Sequence, residues 1–161
     1  MSQAIPTFSK TSEVLAPVDK VWGRLITQEG INHEMRPYLK MTMPKSFRGK
    51  SIGDVSPGTH VGKSLLLLFG VIPFGYDDIT IAQIQPGRMF REESAMTGMR
   101  TWIHLRTLEP VGDRTRVTDA ITVVPRLPIP GLGRLLGAVI GAFFWHRHRR
   151  LKGYFASSEI G

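Results

Sequence analysis

The sequence predicts an α+β fold in which a curved antiparallel sheet packs against a long C-terminal helix. Residues 17–26 carry apolar side chains at the spacing of one buried helix face. Residues 60–124 contain strand-like segments separated by short turns, a pattern typical of antiparallel sheets. Residues 135–155 contain no proline and are apolar enough to form a core helix. Since one face of the sheet must be covered, this helix is its predicted partner.

The length and composition indicate one domain that needs no covalent or metal support. A chain of 161 residues predicts a single domain, residues 1–161, with its own hydrophobic core. The absence of cysteine excludes a disulfide framework, a zinc knuckle and a thiol nucleophile. Residues 1–4 lack the charged and then apolar pattern of a signal peptide, so we expect a cytoplasmic protein.

The formal net charge is +8, and most of the excess lies near the C-terminus. Six basic residues but only one acidic residue follow Pro125. No basic patch with interleaved aromatic residues and no helix-turn-helix or zinc-finger spacing occurs. We therefore expect no nucleic-acid partner.

The first predicted elements are a strand over residues 7–15 and a helix that begins at Pro17. Proline fits the first turn of a helix, where its missing N–H costs nothing. Gly30 is expected to end this helix. The apolar residues occur at i, i+3, i+4, i+7 and i+8, namely Val18, Val21, Trp22, Leu25 and Ile26.

Two less regular segments separate this helix from the main sheet. Residues 31–39 predict a short second helix at best, because Pro37 interrupts the pattern. Residues 41–58 are rich in Gly, Pro, Ser and Lys and predict a loop or a poor edge strand. Apolar runs bounded by turn residues then predict strands over residues 60–69, 77–85, 88–96, 100–108 and 116–124.

The last helix has a charge-free part, residues 135–145, of only 11 residues. Crossing a bilayer takes ~20 apolar residues, so a core helix is the favoured interpretation. A membrane anchor stays as the alternative, because a cluster of Arg and His follows this part. We expect Arg147, Arg149 and Arg150 to be mainly a solvated helix end, where cations interact favourably with the helix dipole.

The strands at 100–108 and 116–124 predict a hairpin whose turn is centred on Gly112 and Asp113. In that register Trp102 lies opposite Val123, His104 opposite Ile121, and Arg106 opposite Asp119. Leu108 lies opposite Val117, and these eight side chains share one face because side chains alternate along a strand. Apolar groups with a few polar ones describe a ligand pocket. They equally describe an ordinary sheet face stabilised by a structural Arg106–Asp119 pair.

Three side chains are candidates for acid–base chemistry, although none is assured. His104 is a wall residue or a general acid or base, with Arg106 or Glu92 as its polar partner. Glu92 and Glu93 point to opposite faces of a strand, so they form no carboxylate dyad, and Glu92 is the one expected to face the cavity. His146 and His148 are about 200° apart on a helix and unsuited to one metal. With no glycine-rich phosphate loop either, we expect neither metal nor cofactor.

Several motifs resemble the START-like (SRPBCC) superfamily, which includes the birch pollen allergen, lipid-transfer domains and polyketide cyclase-like proteins. The segment Ala-Pro-Val-Asp-Lys-Val-Trp at residues 16–22 is similar to its common opening. Pro-Gly-Arg-Met-Phe at residues 86–90, Trp-Ile-His at 102–104 and Thr-Arg-Val-Thr-Asp at 115–119 are similar to a bacterial branch. The resemblance implies a helix-grip fold with a cavity between the sheet and the C-terminal helix.

The resemblance implies binding or transport of a hydrophobic small molecule such as a lipid, a sterol or a polyketide. Two alternatives stay open: a cyclase or dehydratase that uses His104 as acid or base, and a peripheral membrane protein that handles lipids. The non-enzymatic interpretation is favoured, and a transient membrane contact would use the basic C-terminal helix. The expected cavity lining is Trp22, Leu66, Leu68, Phe90, Trp102, His104, Ile121, Phe143 and Phe144.

Overall fold

A computed structural model describes residues 7–158. Within these residues, seven antiparallel strands form one curled sheet in the order β1-β7-β6-β5-β4-β3-β2, with three helices. The predicted combination of an antiparallel sheet and a long C-terminal helix is therefore confirmed. The strands are β1 Phe8–Val14, β2 Leu39–Met41, β3 Thr59–Leu68, β4 Ile72–Gln85, β5 Met89–Met96, β6 Met99–Val111 and β7 Arg114–Pro125. The helices are α1 Val18–Leu25, α2 Gln28–Met35 and α3 Leu132–Ser158.

The two short helices correct the expectation for Gly30. Helix α1 ends at Leu25, and α2 begins after Thr27, whose hydroxyl accepts a hydrogen bond from the Gly30 amide. Gly30 thus lies inside α2 rather than at the end of α1. A Cβ atom at Gly30 would lie 1.9 Å from the Arg24 carbonyl oxygen, so glycine permits the close approach of the two helices.

Strand β4 begins at Ile72, five residues before the predicted start. Pro73 and Gly75 disfavour a strand in the sequence, but here β4 pairs with β3 near the tip of their hairpin. Asp77, predicted to begin the strand, consequently lies within it and has neighbours on both sides. Residues 41–58 contain the end of the short edge strand β2 and two 3₁₀ turns, Lys45–Phe47 and Ile52–Asp54.

Helix α3 lies across the sheet and packs in two places. Phe144 and Ile140 pack against Trp102 and Ile121. Further along the helix, Leu151 and Phe155 join a second cluster with Trp22, Phe90, Val117 and other residues of α1 and the sheet. No helix within residues 7–158 combines the length and the apolar content needed to cross a bilayer.

The basic end of α3 differs from the expected solvated cluster. Arg149 is exposed and Arg150 is half-buried, but Arg147 is only 7% exposed. Arg147 turns inward because Glu34 of α2 offers it a carboxylate at 3.0 Å. The adjacent His148 is fully buried as well. This end of the helix therefore holds α3 against the rest of the molecule.

Candidate functional site

The β6–β7 hairpin has the predicted register, with His104 opposite Ile121 and Arg106 opposite Asp119. The turn at Gly112, whose φ is +63°, fixes this pairing. His104, Arg106 and Asp119 are all buried on the face that α3 covers. The hairpin therefore brings three ionisable groups into the interior.

Arg106 lies at the centre of a buried ionic network. Its guanidinium donates two hydrogen bonds to Asp119, both 2.6 Å, and two to Glu34 of α2, at 2.9 and 3.0 Å. Arg147 of α3 donates to the same Glu34 carboxylate at 3.1 Å. Two cations and two anions thus neutralise one another, and the network joins α2, the hairpin and α3. A charge buried without a partner would cost several kcal/mol, on the order of 3–5.

Asp119 accepts from two histidines in addition to Arg106. His104 Nε2 lies 2.7 Å from its Oδ1, and His148 Nε2 lies 2.8 Å from its Oδ2. Burial alone would raise the pKa of Asp119, but the Arg106 charge, together with the hydrogen bonds from Arg106 and His104, outweighs it and holds the pKa well below its ordinary value. An ionised carboxylate accepts only, so each histidine carries a proton on Nε2. The Nδ1 atom of His104 is left for other partners.

The same network sets the ionisation of its other members. Burial opposes the charge of Glu34, yet Arg106 and Arg147 hold the pKa of this carboxyl below its ordinary value. Burial likewise disfavours the Arg106 cation, but Asp119 and Glu34 raise the pKa of its guanidinium. The four charges stabilise one another at neutral pH.

A cavity of about 670 Å³ lies between the sheet and the middle of α3. Its rim includes the exposed side chains of Phe74 and Trp145. The walls are mainly apolar and include Met35, Leu66, Leu68, Met96, Met99, Trp102, Ile140, Phe143 and Phe144. Apolar walls with a few polar groups are the usual composition of a small-molecule site.

Seven ionisable side chains line this cavity: Tyr38, Asp77, Glu92, His104, His146, Arg147 and Arg149. Glu92 accepts a hydrogen bond from Ser94 at 2.7 Å, and His104 Nδ1 lies 3.9 Å from its carboxylate. Asp77 is only 1% exposed, and its Oδ1 has no hydrogen-bond partner among the described residues. Burial, together with the neighbouring Glu92 charge, raises the pKa of Asp77 to about 9. At neutral pH Asp77 is therefore a protonated acid beside the Glu92 carboxyl group.

The structure places six of the nine expected lining residues at the cavity: Leu66, Leu68, Trp102, His104, Phe143 and Phe144. Phe90 lines a smaller adjoining cavity of about 70 Å³. Trp22 and Ile121 line neither of these two. Trp22 packs in the cluster beneath α1, and Ile121 is covered completely by Phe144 and its neighbours. Arg106, a catalytic candidate, lies behind His104 and not at the cavity surface.

The sequence reasoning missed Asp77, Glu34, Arg147 and His148. Two signals were present. Asp77 alternates with Ile79 and Ile81, and Arg147 and His148 share a helical stripe with Phe144, Leu151 and Phe155. Glu34 has no comparable signal, because its partner Arg106 is 72 residues away. Within the part of the chain that the structure describes, no group of three or more His, Asp and Glu side chains is placed to hold a metal ion.

Comparisons with known proteins agree with this architecture. A family model described as "Domain of unknown function (DUF8410)" matches residues 12–155. None of the curated proteins matches the chain.

Solved structures similar to this chain include a START superfamily protein from Mycobacterium smegmatis, with a TM-score of 0.69 and 15% identity over 93% of this chain and 97% of that one. The Zhui aromatase/cyclase from Streptomyces sp. R1128 has a TM-score of 0.68 and 15% identity, covering 92% of each chain. Ara h 8.0201 has a TM-score of 0.67 and 14% identity over 93% and 97%. The START-like resemblance is therefore confirmed at the level of the fold.

Proposed function

The chain belongs to the DUF8410 family, and from its site we propose that it binds an apolar small molecule, of the lipid, sterol or polyketide class, between the sheet and α3. The observation that carries the proposal is the cavity of about 670 Å³, which has apolar walls and buried polar groups at one side. Small-molecule sites usually have volumes of roughly 300–1,000 Å³. The fold shared with a START superfamily protein and an aromatase/cyclase supports it.

The ionic network supports the proposal because it resists collapse of the cavity. Arg147 binds Glu34, and His148 binds Asp119, so two adjacent residues attach α3 to α2 and to the sheet. The cavity lies beside the preceding turns of the same helix. An apolar space of this size would otherwise tend to close, because burial of apolar surface is favourable.

Binding of an uncharged environment-sensitive dye such as Nile red tests the proposal. A neutral dye is chosen because the net charge of +8 would attract an anionic dye to the surface. We expect saturable binding at one dye per chain. Trp102→Phe should change the dye affinity, in either direction, by about threefold or more, because the indole lines the cavity.

Trp22→Phe is the matched control, since this indole packs outside the cavity. The control should keep the dye affinity of the wild type, and both variants should keep most of their packing. Trp102→Ala adds a stability cost of ~3–5 kcal/mol and is therefore less informative alone. Native protein that binds no dye, or equal responses of the two Phe variants, would contradict the proposal.

A cyclase or dehydratase is a second candidate, and one arrangement favours it. His104 Nε2 is held by Asp119, so its other nitrogen, Nδ1, lies on the side of Glu92 and the cavity, where the neutral ring would act as a base. A positioned base of this kind serves to abstract or return a proton on a bound ligand. Arg106 would act on the ligand only through Asp119 and His104.

Native mass spectrometry of protein from its own host separates the two candidates. His104→Gln keeps a donor for Asp119 but removes the base. If the wild type converts a ligand that this variant merely retains, the recovered molecules differ, by the mass of one water for a dehydration and in chromatographic retention for a cyclisation, which conserves mass. Identical ligands from both proteins would support binding without catalysis.

Exposed apolar side chains near the cavity rim favour contact with a membrane as a third candidate. The tip of the β3–β4 hairpin carries four apolar side chains that are each about half exposed or more, namely Phe69, Val71, Ile72 and Phe74. Sedimentation with anionic vesicles tests this use of the surface, and Phe74→Ser should reduce it. Binding that persists unchanged in this variant would assign the contact to the basic side chains instead.

A further inference from the structure

We infer that the cavity accepts a hydrophobic amine, whose ammonium group binds between Asp77 and Glu92. This inference rests on the proposed ligand-binding function and specifies the chemistry of the ligand. It is carried by two carboxyl groups on adjacent strands that face the same apolar cavity. One of their oxygens, Asp77 Oδ1, is buried and has no partner among the described residues.

The two acids come together because the pleat of β4 and β5 directs alternate side chains inward. Asp77 shares its face of β4 with the buried Ile79 and Ile81. Glu92 shares its face of β5 with the buried Phe90. Both carboxyl groups line the same cavity from adjacent strands, so a single small group lying between them would contact both. Ser64, paired with Asp77 in the sheet, has a buried hydroxyl that also lacks a partner within the described chain.

The charges around Asp77 and Glu92 favour a cationic ligand group. The Arg106 and Arg147 guanidinium groups are matched by Asp119 and Glu34. Arg149 also lines the cavity, but it is exposed and its guanidinium lies over the Trp145 ring. His146, at the same cavity, is hydrogen-bonded to the Arg36 carbonyl oxygen. His104 approaches Glu92 from β6, but at 3.9 Å its Nδ1 is beyond hydrogen-bond distance. The adjacent Asp78 points to the other face, where it binds His60. The carboxyl pair therefore keeps a negative charge that these neighbours do not neutralise.

A bound ammonium group would replace the proton that the pair now holds. Burial, together with the Glu92 charge, raises the pKa of Asp77 to about 9, so Asp77 keeps its proton at neutral pH. An ammonium group beside it stabilises the ionised form and lowers that pKa. The proton leaves to solvent, and the cation donates hydrogen bonds to both carboxylates. Up to one proton is released for each amine bound.

Other ligand head groups satisfy the pair less well. A hydroxyl offers one donor and leaves the negative charge without a partner. A carboxylate adds a third anion to a site that already shares a proton between two. The net charge of +8 would favour an anionic ligand at long range, so a preference for the amine must arise inside the cavity.

Isothermal titration with decylamine, decanol and decanoate tests the inference, because the three probes share one apolar tail. At about pH 7.5 we expect decylamine to bind about tenfold more tightly than either other probe, the scale of one charge-assisted hydrogen bond. Titrations in buffers of different ionisation enthalpy should show proton release with decylamine and none with decanol.

Asp77→Asn should remove most of the preference for the amine and the proton release, while decanol binding is retained. Glu93→Gln is the matched control, since it removes one charge on the exposed face of the same strand as Glu92. It should leave all three affinities within about twofold.

The outcomes distinguish this inference from the function on which it rests. Decanol that binds as tightly as decylamine, or an amine preference that survives in Asp77→Asn, overturns the inference and leaves the apolar site intact. A failure of all three probes to bind overturns both the inference and the proposed function.

Discussion

Replacement of Asp77 by Asn should stabilise the folded protein at neutral and alkaline pH. The folded state holds a proton on Asp77 that the unfolded chain releases, because the pKa is raised from 3.8 to about 9. Stability therefore decreases as the pH rises from about 4 to about 9, and this cost is absent below that window. Asn removes the cost, because its amide is neutral in both the folded and the unfolded state.

The expected gain in the free energy of unfolding follows from the width of this pH window. One pKa unit corresponds to about 1.4 kcal/mol, so the upper limit at about pH 7.5 is roughly 5 kcal/mol. Because the cavity gives the pair some access to solvent, the effective dielectric constant is higher than in a dry core. We expect Asp77→Asn to raise the free energy of unfolding by about 2 kcal/mol at this pH.

Urea unfolding at about pH 5, 7 and 9 measures this effect through the difference between variant and wild type. The difference should increase with pH. Asp78→Asn, on the opposite face of β4, is the control and should change stability by less than about 1 kcal/mol. An Asp77→Asn protein that is less stable than the wild type at each pH, or a difference that does not vary with pH, would refute the reasoning.

Three further predictions concern the network and the helices. Glu34→Gln should lower the free energy of unfolding, measured in urea, by ~3–5 kcal/mol, because the buried Arg106 and Arg147 cations then lack one of their carboxylate partners. Glu29→Gln, exposed on the same helix, is the control and should cost under about 1 kcal/mol. The pKa values of Glu34 and Asp119 are held below their ordinary values, so their stabilisation is complete above about pH 4 and is lost as the pH falls through the lowered values. Circular dichroism during acidification should show this loss, and the wild type should lose more stability than Glu34→Gln. Gly30→Ala should destabilise the protein by more than about 2 kcal/mol in thermal unfolding, because its Cβ would lie 1.9 Å from a carbonyl oxygen of α1. Gly23→Ala, which has open space around it, should be neutral or stabilising by up to about 1 kcal/mol.

The fold was predictable because its signals are local. The turn at Gly112 fixes the β6–β7 register, and alternation along the two strands then places Trp102 and His104 on the inner face. The spacing from Val18 to Leu25 likewise identifies the buried face of α1. Patterns of this kind depend only on residues that are close together in the chain, so they can be recognised in the sequence directly.

The site was predictable only in part, because its polar groups meet through long-range contacts. His104 and Glu92 could be assigned to the inner face by alternation alone. The contacts of Glu34 with Arg106 and Arg147 join residues from separate elements, and no periodic pattern indicates them. The solvated end expected for α3 was wrong at Arg147 because a local rule about helix ends ignores an acid supplied by another helix.

The pairing of β1 with β7 has a consequence for the order of assembly. Phe8 lies opposite Ile121, so the first strand meets its partner only when most of the chain has been synthesised. Hairpins such as β6–β7 close short loops and should form early, whereas closing a loop of about 100 residues costs more entropy. Until β1 arrives, β7 exposes an unpaired edge that other chains can join. Removal of residues 1–14 should therefore yield aggregates that grow through β7 rather than a smaller folded monomer.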